Sequence, residues 1–314
     1  MTNYRKFMEP EYGEPAPEVI IYPSQEMDME HLARWRKKND YESVAEITEE
    51  IRHCICYPNL MKIDTEDVKI LGPQGNVNTR IYKPVLIYYH GGSFSMNSIE
   101  VYEYVCRYLA YTGNMIVVAP DYHLAPEYKF PAGLNEAYET LVWTKNNIGL
   151  YYGDEGNISV AGDSSGGNFA AAVSIMARDQ EGPKIRKQIL FYPLTTNYEE
   201  EITDSEQHYQ VGYFLNYNCM NNPMAHYFEN EEDVKNSLAS PLLEDNLKGL
   251  PPACFISAEC DPLLDQGLQY AAKLQDAGVK VEYHILKGML HGFINRTYGK
   301  SFEALELAAD FVNN

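Results

Sequence analysis

Three side chains in this sequence could form a proton relay behind a nucleophile. The nucleophile candidate is Ser164, within Gly162-Asp163-Ser164-Ser165-Gly166-Gly167. The apolar run Asn157-Ile158-Ser159-Val160-Ala161 precedes it, and a helical stretch from Phe169 to Ala177 follows. Strand, tight Gly-x-Ser-x-Gly turn and helix is the setting that lifts a serine hydroxyl clear of its neighbours. Glycines two residues either side of Ser164 let strand and helix crowd together where a Cβ would clash.

A serine hydroxyl is a poor nucleophile until a base takes its proton. The strand-like run Ala253 to Ser257 leads into Ala258-Glu259-Cys260-Asp261-Pro262-Leu263-Leu264-Asp265. An acid just past a strand end sits at the carboxyl edge of a parallel sheet, where such sheets place their sites. Asp261 is the expected acid, with Asp265 and Glu259 in reserve. Its competing reading is a helix N-cap with Pro262 at the first helical position. The next strand-like run, Val281 to Leu286, ends in Lys287-Gly288-Met289-Leu290-His291-Gly292-Phe293, which makes His291 the expected base. His284 falls inside that strand and reads as structural. His31, His53, His208 and His226 lie outside the strand-and-helix core. An oxyanion needs donors held ready before charge develops. Ser165 offers the N–H after the nucleophile. His90-Gly91-Gly92-Ser93-Phe94, at the end of the apolar run Val85 to Tyr89, offers those of Gly91 and Gly92.

These residues need a frame. Apolar runs at Val85–Tyr89, Met115–Ala119, Ile158–Ala161, Gln188–Tyr192, Ala253–Ser257 and Val281–Leu286 alternate with helical patterns near 98–112, 132–147, 165–179, 263–277 and 301–312. Such alternation predicts an α/β chain with a mostly parallel sheet and helices on both faces. Val68 to Leu71, a turn at Gly72 to Asn76, and Val77 to Tyr82 predict an antiparallel addition at one edge. Residues 1–60 read as an N-terminal helical cap region, led by a polar arm without the apolar core of a signal peptide. Residues 61–314 read as the catalytic domain. A Tyr-, Asn- and Glu-rich stretch at about 195–236 reads as a cap insertion, since long insertions in compact domains are usually functional.

Composition narrows the partners. The 314 residues carry a formal net charge of −20, which disfavours nucleic acid, anionic membranes and polyanionic substrates. No apolar segment has the length of a membrane span. The cysteines, Cys54, Cys56, Cys106, Cys219, Cys254 and Cys260, show no C-x-x-C spacing and read as reduced thiols of a cytoplasmic protein. No cluster has metal-ligand spacing, so neither metal nor cofactor is expected. The 26 tyrosines suit pocket walls and interfaces, which leaves a homodimer open.

Taken together, His90-Gly91-Gly92-Ser93, Gly162-Asp163-Ser164-Ser165-Gly166-Gly167, Asp261-Pro262-Leu263-Leu264-Asp265 and His291-Gly292-Phe293 resemble the hormone-sensitive-lipase-like branch of the α/β-hydrolases. Asp121-Tyr122-His123-Leu124-Ala125-Pro126-Glu127, followed by Phe130-Pro131-Ala132, adds to the likeness. The resemblance covers roughly residues 60–312. It implies an α/β-hydrolase fold and a carboxylesterase acting on short acyl esters through Ser164, His291 and Asp261, with no metal or cofactor. An amidase or peptidase using the same triad, or a ligand-binding protein on the hydrolase scaffold, are the alternatives. The sequence departs from the pattern in three places. Ser93 stands where a third glycine is usual, a change expected to be tolerable because Gly91 and Gly92 would carry the donors. His123 stands where arginine is common. Finally, Ile81-Tyr82-Lys83-Pro84 runs straight into Val85, although the two strands should be separated by another. Either the strand ends give way or residues are absent from the sequence.

Overall fold

A computed structural model of the chain describes residue 13 and residues 65–82, 85–198, 201–211, 213, 215, 226–296 and 299–314. It opens on an antiparallel pair, β1 (Thr65–Gly72) and β2 (Gly75–Tyr82). There follow β3 (Val85–Tyr89), α1 (Glu103–Gly113), β4 (Ile116–Asp121), α2 (Ala132–Asn147), β5 (Val160–Asp163), α3 (Ser165–Asp179) and β6 (Gln188–Phe191). After them come α4 (Asp204–Tyr209), β7 (Ala253–Cys260), α5 (Leu264–Asp276), β8 (Val281–Leu290) and α6 (Ser301–Asn313). Among the described residues the strands form one sheet in the order β1-β2-β4-β3-β5-β6-β7-β8. From β4 to β8 the neighbours run parallel, and β1 and β2 form the antiparallel edge. This is the α/β class expected from the alternation of patterns.

Strand alternation builds two cores, because successive side chains point to opposite faces. Leu86 and Tyr88 of β3 pack with Val105, Cys106 and Leu109 of α1 and with Ala304, Leu305 and Ala308 of α6. Ile87 and Tyr89 face the other way, against Leu134 and Leu141 of α2, Phe169 and Val173 of α3, and Ala271 and Leu274 of α5. Many of the largest buried side chains are tyrosines, among them Tyr88, Tyr89, Tyr102, Tyr108 and Tyr192. Part of the tyrosine surplus is therefore core, its hydroxyls given to internal acceptors: Tyr89 donates to the Ala137 carbonyl at 3.0 Å and Tyr108 to Glu306 at 2.8 Å.

Strands β7 and β8 outrun the sequence expectation, ending at Cys260 and Leu290 instead of Ser257 and Leu286. Pairing continues through a register shift between Ala258 and Cys260. There the buried Glu259 carboxylate accepts the Gly288 N–H at 2.7 Å and lies 3.3 Å from the Lys287 ammonium. Lys287-Gly288 looks like a turn in isolation, but the neighbouring strand holds it in the sheet. The extra length carries Asp261 and His291 to adjacent strand ends.

Within 195–236, the described residues include α4, which starts at a capping box between Thr203 and Glu206. Ser205 of this helix takes the Asp265 carboxylate on its N–H at 2.9 Å and gives its hydroxyl to the Pro262 carbonyl at 2.7 Å. The expected N-terminal cap region, residues 1–60, lies outside the described residues except for Gly13, as do Cys54, Cys56, His31 and His53. The Gly13 carbonyl accepts from the Tyr209 hydroxyl at 3.0 Å and the Cys260 thiol at 3.3 Å.

Strand β4 does separate β2 from β3. Tyr82 pairs with Val117 on one side of it and Val85 with Ile116 on the other. Two strand spacings, about 9.6 Å, must be crossed by three Cα steps that reach at most about 10–11 Å. The strand ends persist on both sides of that connection. Inserting three Gly/Ser residues between Pro84 and Val85 should raise the melting temperature by about 2–4 °C, since the added loop entropy is small. A lower melting temperature in calorimetry would show that this connection is not under tension.

Candidate active site

The carboxyl ends of β3, β5, β7 and β8 meet at one edge of the sheet, the edge where open α/β sheets bind their ligands. Strand β5 delivers Ser164, which turns directly into α3 with φ 53° and ψ −119°. Its N–H donates to the Phe191 carbonyl at 2.9 Å, and its own carbonyl accepts from Asn168 and Leu194, both at 3.1 Å. The backbone is thus clamped on both sides while the side chain projects. A positive φ at a non-glycine residue costs about 1 kcal/mol or more, and these bonds hold it.

The turn closes only because of its glycines. A Cβ on Gly166 would lie 2.0 Å from the Tyr89 carbonyl oxygen and 2.5 Å from that of His90. Both are backbone atoms of the adjoining strand end and cannot swing away.

From the neighbouring strand ends come the two partners. Ser164 Oγ lies 2.9 Å from His291 Nε2. His291 Nδ1 lies 2.8 Å from Asp261 Oδ2, with both side chains almost fully buried. The second Asp261 oxygen accepts the Leu263 N–H at 2.8 Å. The two bonds occupy different oxygens of one carboxylate; α5 starts at Leu264 with Leu263 as its N-cap, so Asp261 is not the cap and its bond to Leu263 closes a turn ahead of the helix. The ring of Tyr192 lies 4.7 Å from that of His291. The reserve acids point elsewhere: Asp265 anchors Ser205 of α4, and Glu259 anchors Gly288.

The oxyanion expectation needs one correction. The Gly91 N–H is already taken, donating to Asp163 Oδ1 at 2.8 Å. Free donors shift one residue along. No acceptor among the described residues takes the N–H groups of Gly92, Ser93 or Ser165. Ser93 has φ 52° and Phe94 φ 60°, so the place where a third glycine is usual is a left-handed one. The serine there carries a backbone cost as well as a donor. The loop is tied by Ser95 and Met96 N–H bonds to the Gly92 carbonyl and by a Phe94 N–H bond to the Ser165 hydroxyl at 3.3 Å.

Two buried titratable groups beneath the site went unrecognised in the sequence. His90 stacks on Tyr122 with ring centroids 4.3 Å apart, and burial pushes its pKa down to about 4, so it stays neutral. Asp163 accepts hydroxyl hydrogen bonds from Tyr88 at 2.9 Å and Tyr102 at 2.8 Å as well as the Gly91 N–H. Burial outweighs these bonds and lifts its pKa from 3.8 to about 6. The folded protein then holds this proton more tightly than the unfolded chain. Stability from this group is complete below its unfolded pKa and is lost as pH rises through about 6. Ionised Asp163 thus costs about 3 kcal/mol at neutral pH. A motif read for its serine and glycines gave no sign of this. The His123 ring nitrogen lies 2.7 Å from an oxygen of buried Glu136.

Comparison with known proteins points the same way. A family model described as alpha/beta hydrolase fold matches residues 86–295. An arylesterase of Saccharolobus solfataricus is 35% identical over 239 residues, 74% of this chain and 77% of the relative. Esterase LipI of Mycobacterium tuberculosis is 35% identical over 240 residues, 73% of this chain and 74% of the relative. Among solved structures, the hyperthermophilic esterase from the archaeon Pyrobaculum calidifontis superposes with a TM-score of 0.82 at 34% identity, covering 91% of both chains.

Because Gly166 meets backbone, Gly166→Ala should destabilise the fold by about 3 kcal/mol or more. Denaturant unfolding measures this, and a loss under about 1 kcal/mol would show that the elbow can relax.

Proposed function

This chain belongs to the hormone-sensitive-lipase-like branch of the α/β-hydrolases and is a carboxylic ester hydrolase, and we propose that it cleaves short-chain acyl esters through an acyl-enzyme on Ser164. The observation that carries the mechanism is the unbroken relay from Asp261 through His291 to Ser164, with contacts of 2.8 and 2.9 Å. With Nδ1–H given to Asp261, Nε2 is the acceptor of the Ser164 proton. Oγ attacks the acyl carbon as the proton passes to His291, whose positive charge Asp261 supports. The tetrahedral oxyanion faces the N–H groups of Gly92, Ser93 and Ser165. His291 then protonates the leaving alcohol. Water repeats the sequence on the acyl-enzyme, releasing the acid and restoring the Ser164 hydroxyl.

The reading of short acyl groups rests on the resemblance to the family, and buried aromatic residues pack against Phe94 of the oxyanion loop. Tyr227 lies face to face on Phe94 at 3.9 Å, and Phe130 and Phe228 close around it. The net charge of −20 disfavours anionic esters. We place the protein in the cytoplasm on its cysteine usage, and Cys106, Cys254 and Cys260 are in no disulfide. No described helix is long and apolar enough to cross a membrane. Among the described residues β8 and β1 are the two edge strands of the sheet, and a homodimer would pair on such an edge.

On p-nitrophenyl esters of increasing length, kcat/KM should peak at about two to six acyl carbons. A maximum at about ten carbons or more would overturn the short-chain reading. Ser164→Ala should lose roughly a millionfold in kcat while remaining folded.

The acid assignment has its own check. Asp261→Asn should cost about 10⁴-fold in kcat, because the wrong imidazole tautomer is left facing Ser164. Asp265→Asn, which loosens the Ser205 contact, should stay within about tenfold of wild type. The reverse ranking would transfer the role to Asp265.

A further inference from the structure

The side chain immediately before the proposed nucleophile has no part in the relay, yet it joins three pieces of the site. Asp163 is 2% exposed. Its Oδ1 accepts from the Tyr88 hydroxyl at 2.9 Å and the Gly91 N–H at 2.8 Å, and its Oδ2 from the Tyr102 hydroxyl at 2.8 Å. Tyr88 belongs to β3, Gly91 to the oxyanion loop, and Tyr102 to the entry of α1. The Tyr102 hydroxyl is also met by Asn295 Nδ2 at 3.5 Å, four residues beyond His291. We propose that Asp163 is a positioning residue whose ionised carboxylate clamps the oxyanion loop to the nucleophile strand and so aims the Gly92 and Ser93 N–H groups. This rests on the reading of Ser164 as nucleophile.

Three observations support the clamp. First, the contact is close enough to require glycine: a Cβ on Gly91 would lie 2.4 Å from Asp163 Oδ2 and 2.8 Å from the Asp163 carbonyl oxygen. Second, the unbonded donors lie between two stitches. The loop is tied at Gly91 to Asp163 and at Phe94 to Ser165, the two residues flanking Ser164, and Gly92 and Ser93 fall between them. Displacing a preorganised donor by about 1 Å costs on the order of 10²-fold in rate. Third, every donor in the cluster is directed at an acceptor. An ionised carboxylate serves all of them, and charge-assisted bonds of this kind are about twice as strong as neutral ones. An asparagine of the same shape would turn a donor towards them.

The clamp is sensitive to acid. The titratable groups facing it are Tyr88 from β3, Tyr102 ahead of α1, Tyr122 after β4, Tyr192 after β6, His90 in the oxyanion loop and His291 after β8, with Asp261 beyond Tyr192. None of these is a lysine or arginine. As pH falls through about 6 the carboxylate gains a proton, one of its oxygens becomes a donor, and the three incoming hydrogens can no longer all be met.

The test compares Asp163→Asn and Tyr102→Phe with wild type in the full chain. It measures kcat and KM on p-nitrophenyl butyrate from pH 5 to 8, melting temperature, and labelling of Ser164 by a fluorophosphonate. Asp163→Asn should lower kcat about 10- to 100-fold at pH 8 with KM within about threefold. Its melting temperature should hold or rise, because a buried charge is removed. Tyr102→Phe deletes a hydrogen bond that favours ionised Asp163, so the acid limb of kcat should move up by about half a unit. A kcat for Asp163→Asn within about threefold of wild type overturns the clamp. So does a loss of kcat that merely follows a fall in melting temperature while Tyr102→Phe leaves the acid limb in place. Should Asp163→Asn fail to fold, the Tyr102→Phe limb decides alone, a shift supporting the clamp and its absence refuting it. A wild-type chain that neither turns over the ester nor labels at Ser164 would sink the parent reading too. Normal wild-type turnover with an indifferent Asp163→Asn would sink only this one.

Discussion

The site depends on one steric constraint: the end of β5 must pass into α3 within van der Waals contact of the end of β3. The closest point is Gly166 against the carbonyls of Tyr89 and His90, where a Cβ would fall 2.0–2.5 Å from backbone oxygen. That approach holds Ser164 at φ 53° and brings the oxyanion loop to the residues beside it. Two parallel strands in direct register, Tyr89 opposite Gly162, fix the distance. Their hydrogen bonds leave no slack in which the turn could open.

A second constraint is electrostatic. The chain is strongly acidic, and several carboxylates are nonetheless buried around the site. Each is matched to particular donors. Asp261 holds an imidazole and a backbone N–H, Glu259 the bulge of β8, Asp265 the helix α4, and Glu136 the ring and N–H of His123. Asp163 is the costly member, with no lysine or arginine in the cluster of described groups that faces it and a pKa of about 6. Stability lost there sits directly under the proposed chemistry, where the gain is in holding backbone N–H dipoles ready for an oxyanion. The same carboxylates fasten separate segments. Asp265 ties α4 to the first turn of α5 and the Ser205 hydroxyl ties it to the Pro262 carbonyl just after Asp261, so α4 and the acid share one support.

The class of fold was legible because parallel strands buried on both faces are continuous apolar runs, and helices between them repeat at helical spacing. The Ser164 elbow was legible because its backbone path tolerates so few residue types. Asp261 and His291 were legible from their place just beyond apolar strands. The ends of β7 and β8 were not, since Lys287-Gly288 becomes strand only when Glu259 and the neighbouring chain hold it there. The tyrosine surplus read as pocket wall and interface, whereas many of those rings are core, with internal acceptors that only packing supplies.

The oxyanion loop draws the line most clearly. By itself the sequence determined that a glycine-rich turn follows β3 and faces the serine elbow, because strand order and glycine placement are local signals. Which N–H groups remain free was decided only in the tertiary structure. Gly91 and Gly92 are equivalent as letters. They differ because the Asp163 carboxylate, 72 positions along the chain, takes the first donor and leaves the second. Hydrogen-bond occupancy depends on partners that the fold brings within 3 Å, and local sequence carries no record of them.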